Sequence, residues 1–289
     1  MDEMTGNIAT SKLKGVSQTL LITLAARALA PKHNPDLNFS DPSAEAIAAA
    51  LAFVPAQFAD DRASMRGAIV RAKWFDSVAR AFVHAEPDGL VVSIGSGLDT
   101  RAHRIGLTPD IDWIDIDLPQ VIALRDALVA PLPHVRNVAA DGTDVTAWSR
   151  LVSWRPGRAV LVLAEGVSMY LDPVSAQSWI RDLCGESRRK GSMLLFALDL
   201  ASPFMVNQGH RNRSVRKIGG HFSWGVRDPA DLIQLDEGLV LRQTYDVARR
   251  SGLTSRVVSR LHRLLTGRPL YSCALYAVRN LGGSREPPA

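Results

Sequence analysis

One stretch, Val91-Val92-Ser93-Ile94-Gly95-Ser96-Gly97-Leu98-Asp99-Thr100-Arg101, constrains the fold more than any other. An apolar, β-branched run that enters a Gly-x-Gly turn and then a polar segment reads as a strand, a tight turn and a helix start. Glycine at 95 and 97 admits positive φ and leaves no Cβ to bar a ligand, while the helix N-terminus beyond offers unpaired N–H groups. A dinucleotide fingerprint would place a third glycine where Thr100 stands. A Gly-x-Gly alone suits a bland strand-to-helix turn equally well. The next apolar run, Trp113-Ile114-Asp115-Ile116-Asp117-Leu118-Pro119, ends in a carboxylate twenty residues after Gly97. An acid there reaches the hydroxyls of a ribose bound over the first turn. Nicotinamide cofactors and S-adenosylmethionine both carry such a ribose, and the spacing does not separate them.

From this unit the pattern extends in both directions. Residues 1–86 read as an N-terminal helical segment: a helix around Val16–Leu29, one from Ala44 to Phe53 with Asp41 as cap and Pro42 in its first turn, and a long amphipathic helix over 63–84. After Asp117 come a helix at Pro119–Leu128, a strand at Val135–Ala140, a helix around Val145–Ser153 and the wholly apolar run Ala159–Ala164, as expected of a strand covered on both faces. A helix Pro173–Arg188, a strand Ser192–Leu198, a helix Pro229–Glu237, a strand Leu239–Tyr245, an Arg-rich connector and a strand Leu270–Val278 complete seven strands. Strands alternating with helices predict an α/β, doubly wound, mostly parallel sheet that binds ligands at its strand C-termini. Asp99, Asp117, Asp141, Glu165 and Asp199 all fall at or just after such ends. Residues 201–224, punctuated by Pro203, Gly209, Gly219 and Gly220, read as an acceptor-side insertion or lid. Without a linker strong enough to divide it, the chain 1–289 is expected to be one domain.

Composition excludes several classes. Cys184 and Cys273 stand far apart with no Cys/His cluster, so neither a disulfide framework nor a metal site is expected. The apolar run Thr19–Ala30 imitates a secretory signal, but Asp2 and Glu3 precede its lysines, Arg27 interrupts it, and its leucines trace one helical face. No run is long enough to span a bilayer, so a cytoplasmic protein without a membrane partner is expected. The net charge of +5 is spread thinly and no nucleic-acid motif accompanies it. Its densest cluster, His210-Arg211-Asn212-Arg213-Ser214-Val215-Arg216-Lys217, is either a solvated loop or a ligand-facing one suited to an acidic substrate.

An ordered set of segments resembles the leucine carboxyl methyltransferase family over most of the chain, with the closest likeness to bacterial polyketide-type O-methyltransferases. The segments are Leu13–Ile22, Arg71, Ile94–Arg101 with Arg104, Asp115–Pro119, Ala140–Asp144 and Ala164–Leu171. The resemblance implies a Rossmann-like class I methyltransferase fold, S-adenosylmethionine as cofactor and a small-molecule acceptor methylated on oxygen. Position by position, it implies Arg71 against the donor's carboxylate and Gly95 and Gly97 beneath its methionyl part. Asp117 then meets the ribose, Asp141 and Gly142 the adenine, and Glu165 the amino group or sulfonium. Arg71 pairing with an acid on a neighbouring helix and Glu165 capping the next turn remain open alternatives. His210, His221 and Tyr170 are candidate bases for a phenolic acceptor, and Arg211, Arg213 and Arg216 candidate anchors for an acidic one. A nicotinamide-dependent oxidoreductase would need pyrophosphate glycines and a Tyr-x-x-x-Lys relay, neither of which is present. A non-catalytic nucleoside-fold binding protein is expected to have lost Asp117 or Glu165; both are here.

Overall fold

Among the described residues seven strands form a single sheet, in the order β3 (Val135–Ala139), β2 (Asp112–Asp117), β1 (Leu90–Ile94), β4 (Val160–Ala164), β5 (Leu194–Ala201), β7 (Tyr271–Val278), β6 (Leu239–Asp246). The computed structural model describes residues 19–208 and 222–279. Three helices precede the sheet: α1 (Thr19–His33), α2 (Pro42–Ala50) and α3 (Arg62–Ala85). Asp41 caps α2 by accepting the Ala44 N–H at 3.1 Å, with Pro42 in the first turn as the sequence predicts. The sheet then alternates with helices: β1 (Leu90–Ile94), α4 (Arg101–Ile105), β2 (Asp112–Asp117), α5 (Pro119–Leu128), β3 (Val135–Ala139), α6 (Val145–Trp148), β4 (Val160–Ala164), α7 (Pro173–Lys190) and β5 (Leu194–Ala201). These five strands are parallel. After α8 (Pro203–Gln208) come β6 (Leu239–Asp246), α9 (Val247–Arg250), α10 (Leu253–Thr266) and β7 (Tyr271–Val278), which runs antiparallel between β5 and β6.

Side-chain alternation along the strands divides the core. Leu90, Val92 and Ile94 join Ile114, Ile116, Phe196 and the α7 residues Trp179, Ile180 and Leu183 in one cluster. Val91, Trp113, Leu161 and Leu163 meet Trp74, Phe75 and Phe82 of α3 in the other. Both faces are thus covered, which is why β1 and β4 are buried along their whole lengths.

Three expectations need correction. The helix expected over Val145–Ser153 is one turn, α6, and Pro229–Leu235 is a 3-10 segment. The Arg-rich connector contains the helices α9 and α10, because an apolar stripe that faces outward gives no sign of a core element. Of the insertion at 201–224, the end of β5, helix α8 and residues 222–224 are described; His210, Arg211, Arg213, Arg216, Lys217 and His221 lie outside the described residues.

One buried arginine fixes the turn after β1. Arg125, on α5, donates through Nη1 to the carbonyls of Gly97 and Asp99, both at 2.8 Å, and through Nη2 to Asp115 Oδ2 at 2.5 Å. Asp115 is itself buried on β2. Removing one partner of such a pair strands the other in a poorly solvated site, at a cost of about 3–5 kcal/mol. Arg125→Met is therefore expected to lower the unfolding free energy by that amount in urea titrations followed by circular dichroism. A loss below about 1 kcal/mol is what a solvated pair would give, and would refute the assignment.

Candidate functional site

Strand register lines up the carboxyl edge of the sheet. Ile94 is paired with Ile116 on one side and Ala164 on the other, and Ala164 with Leu198. The next residue of each strand, Asp117, Gly95, Glu165 and Asp199, therefore falls in one row across β2, β1, β4 and β5. Brought together by pairing alone, they occupy the edge where a doubly wound sheet binds its ligands.

The glycine turn has the expected backbone. Gly95 and Gly97 adopt φ of +61° and +52°, so any side chain there would be strained. It would also clash: a Cβ on Gly95 would lie 2.5 Å from Val167, and one on Gly97 2.5 Å from Leu20 of α1. Asp117 closes the turn, its Oδ2 accepting the Gly97 N–H at 2.7 Å and its Oδ1 the Leu118 N–H at 2.8 Å. Burial pushes the Asp117 carboxyl above its ordinary value, against the pull of those two donors.

A network of ion pairs adjoins this row. Arg71, buried on α3, donates through Nε to Glu165 at 2.9 Å and through Nη1 to Asp199 at 3.0 Å and to the Tyr271 hydroxyl at 2.8 Å. Arg101 pairs with Asp76 and Asp99, each at 2.8 Å, and with the second oxygen of Glu165. Arg104 reaches Asp41, Asp76 and Asp99, while Arg27 on α1 holds Asp41 at 2.7 Å and the Leu98 carbonyl at 2.7 Å. Burial alone would raise the Asp99 carboxyl, but Arg101, Arg104 and Arg27 more than offset it and hold it far below the usual range. The network joins four guanidinium groups to five carboxylates, leaving one negative charge in excess.

Above the network is a cavity of about 440 Å³. That lies within the roughly 300–1,000 Å³ typical of cofactor and small-molecule sites. Its polar lining comprises the Gly95–Gly97 turn, Asp99, Arg71, Arg101 and Glu165; its apolar lining includes Ile22, Met169, Tyr170, Met205, Phe222 and Val258. Ser96 Oγ is buried in this lining without a hydrogen-bond partner among the described residues. Tyr170 meets Phe222 edge to face at 5.3 Å. Burial pushes the Tyr170 phenol up to about 12, so at neutral pH it is a hydrogen-bond donor. Among the described residues no histidine lines the cavity and no group of side chains is arranged to hold a metal ion.

The structure thus brings Arg71, Gly95, Gly97, Glu165 and Tyr170 to one cavity, with Asp117 behind its turn. Arg71 is also paired with acids, but with Glu165 just after β4 and Asp199 in β5 rather than with one on a neighbouring helix; its Nη2, facing Gly166, makes no hydrogen bond among the described residues. Asp141 and Gly142 are outside the cavity lining. Asp141 is exposed and its Oδ1 accepts from the Thr143 N–H and hydroxyl, while a Cβ on Gly142 would fall 2.2 Å from Ile94. Sequence reasoning missed Arg27, Asp41, Asp76, Arg101, Arg125, Asp199 and Tyr271 as site-forming groups. Only Asp199, at a strand end, carried a local sign.

Comparison with known proteins identifies the family. Residues 20–184 match the model of the leucine carboxyl methyltransferase family. The chain is 29% identical over 238 residues to the tetracenomycin polyketide synthesis O-methyltransferase TcmP of Streptomyces glaucescens, covering 82% of this chain and 85% of that protein. It is 33% identical over 267 residues to a candidate S-adenosyl-L-methionine-dependent methyltransferase of Mycobacterium ulcerans, covering 79% and 81%. A crystal structure of a candidate methyltransferase from Thermobifida fusca shares the fold, with a TM-score of 0.53 at 18% identity over 89% of this chain and 94% of that one. With more than half of its length matched, the chain belongs to the leucine carboxyl methyltransferase family of S-adenosyl-L-methionine-dependent methyltransferases.

Proposed function

We propose that this protein transfers a methyl group from S-adenosyl-L-methionine to an oxygen, carboxylate or hydroxyl, of a small and largely apolar acceptor. The observation that carries the reading is one cavity with two kinds of wall, polar along the sheet edge and with an aromatic and aliphatic part. The likeness to a polyketide O-methyltransferase supports oxygen as the methylated atom.

The residues present fit the donor. Gly95 and Gly97 line the cavity and are assigned to its methionyl part, and Ser96 Oγ offers a hydrogen bond that no described residue satisfies. Arg71 Nη2 is the part of the fork left for the donor carboxylate. Asp117 is assigned to the ribose hydroxyls, and Asp141, through Oδ2, and Gly142 to the adenine. Glu165, with the network's excess of negative charge, suits a cationic centre. The donor supplies a methyl group on a sulfonium, open to in-line displacement.

For the chain itself the main task is alignment. Positioning two reactants contributes about 7–11 kcal/mol, against roughly 3–5 kcal/mol from a general base. A carboxylate acceptor is already ionised near neutral pH and needs holding rather than deprotonation. Tyr170 is assigned to donate a hydrogen bond to the acceptor, while His210, His221 and the arginines 211, 213 and 216 remain assigned to the acceptor side as base and anchors. Leu20, Ile22, Met169 and Phe222 close the cavity against water.

Three outcomes test the reading. Asp117→Ala removes a charged hydrogen-bond partner worth about 1.5–3 kcal/mol, so calorimetric affinity for the donor should fall roughly ten- to more than a hundredfold in a folded variant; an unchanged affinity refutes the assignment. Because the Asp117 carboxyl is raised, it gains its proton before an ordinary aspartate does as the pH falls. Donor affinity should therefore begin to drop above pH 3.8, and in Asp117→Asn this acid limb should vanish. Tyr170→Phe should lower kcat/KM by about tenfold and equally from pH 6 to 9, since the phenol stays protonated throughout. A change in the shape of the profile would make Tyr170 the base and point to a phenolic acceptor.

A further inference from the structure

Helix α10 lies on the protein with its polar side inward. Ser259 is its only buried residue, and Ser255 and His262 are half-buried beside it. Leu253, Val257, Val258, Leu261, Leu264 and Leu265 are 77%, 55%, 42%, 55%, 82% and 86% exposed. At 3.6 residues per turn these six fall within an arc of roughly 140°, next to the arc that carries Ser255, Ser259 and His262. Arg256, Arg260 and Arg263 occupy the remaining border, exposed and without an ion pair among the described residues. A helix that turns its aliphatic stripe to solvent and flanks it with arginine has the pattern of a segment that lies in a lipid interface.

Charge decides between possible occupants. From Val247 to Arg285 the sequence contains eight arginines and no acidic residue. Residues 209–221 offer two aliphatic side chains, Val215 and Ile218, among Arg211, Arg213, Arg216 and Lys217, so they carry the same sign as the helix border. A second copy of the helix would set arginine against arginine. A surface of anionic phospholipid supplies both complements, acyl chains for the stripe and phosphates for the guanidinium groups.

We propose that α10 docks this protein on an anionic lipid surface. The expectation of no membrane partner rests on the absence of a spanning segment, and indeed no described helix is long and apolar enough to cross a bilayer; this contact is peripheral. The same helix walls the cavity: Val258 belongs to both the stripe and the lining, and Thr254 and Ser255 line it beside Val258. Docking therefore sets the cavity's edge at the interface, where an apolar acceptor concentrates. The docking itself does not depend on which atom is methylated.

The test uses the full chain and co-sedimentation with vesicles of phosphatidylcholine alone or mixed equally with phosphatidylglycerol. Binding to the anionic vesicles, weakened by salt, is expected. Replacing Arg256, Arg260 and Arg263 together by Gln should weaken it by about a hundredfold, at roughly fivefold for each charge. Leu264→Asp with Leu265→Asp should abolish it; these side chains touch neither core nor cavity, so donor affinity should stay at the wild-type value. Because Cys184 and Cys273 are buried, an environment-sensitive dye on Leu265→Cys labels one place and should shift to the blue on anionic vesicles only. Absence of vesicle binding overturns the proposal: with a concentration-dependent dimer that the aspartate pair dissolves, the occupant is a second copy, and with a Leu265→Cys thiol closed to the dye, it is the chain itself. Equal binding to neutral vesicles also overturns it.

Discussion

A charge taken out of water must meet its counter-charge inside the fold, and at the carboxyl edge of this sheet nine charges do so together. Each buried ion forfeits several kcal/mol of hydration, which only close, oriented partners offset. Arg27, Arg71, Arg101 and Arg104 meet that condition by binding carboxylates from α2, α3, β4, β5 and the turn after β1. Elements from distant parts of the sequence are thereby held to one geometry, since a displaced helix would leave an unpaired charge. Arg125 does the same for the glycine turn, its Nη1 taking up backbone carbonyls that a tight turn leaves exposed while its Nη2 pairs with Asp115. The result is a site whose polar groups are fixed before any ligand arrives, as charge stabilisation and alignment both require.

The parts of this arrangement that were legible in the sequence are those written locally. Apolar runs marked the inner strands β1, β4 and β5, because a strand covered on both faces needs only a short β-branched stretch to declare itself. Gly95, Gly97 and Asp117 were legible because a turn and a strand end leave signs within twenty residues of one another. Arg101 and Arg104 stood within the recognised segment, yet nothing near them in sequence indicates Asp76 or Asp41. The partners of Arg71 lie 94, 128 and 200 residues away, and no periodicity encodes such a distance. Helix α10 was missed for another reason. Its stripe at 253, 257, 261 and 264 has helical spacing, but reading periodicity assumes that apolar residues face the core.

The antiparallel end of the sheet serves the site as much as the parallel part does. β7 pairs with β5 so that Tyr271 stands opposite Ala201, and its hydroxyl thereby joins Arg71 and Asp199. The connection from β6 to β7 carries α9 and α10, which supply Ala248, Ser251, Thr254 and Val258 to the cavity. One strand insertion thus delivers a hydrogen-bond partner to Arg71 and Asp199 and a wall to the cavity, leaving the parallel core unchanged.

The single negative charge by which the network's carboxylates outnumber its guanidinium groups bears on turnover as well as on binding. A sulfonium brings the cation that this imbalance lacks; the thioether left after transfer does not. Fresh and spent donor have nearly the same shape, so one positive charge is the feature by which buried, fixed carboxylates can tell them apart.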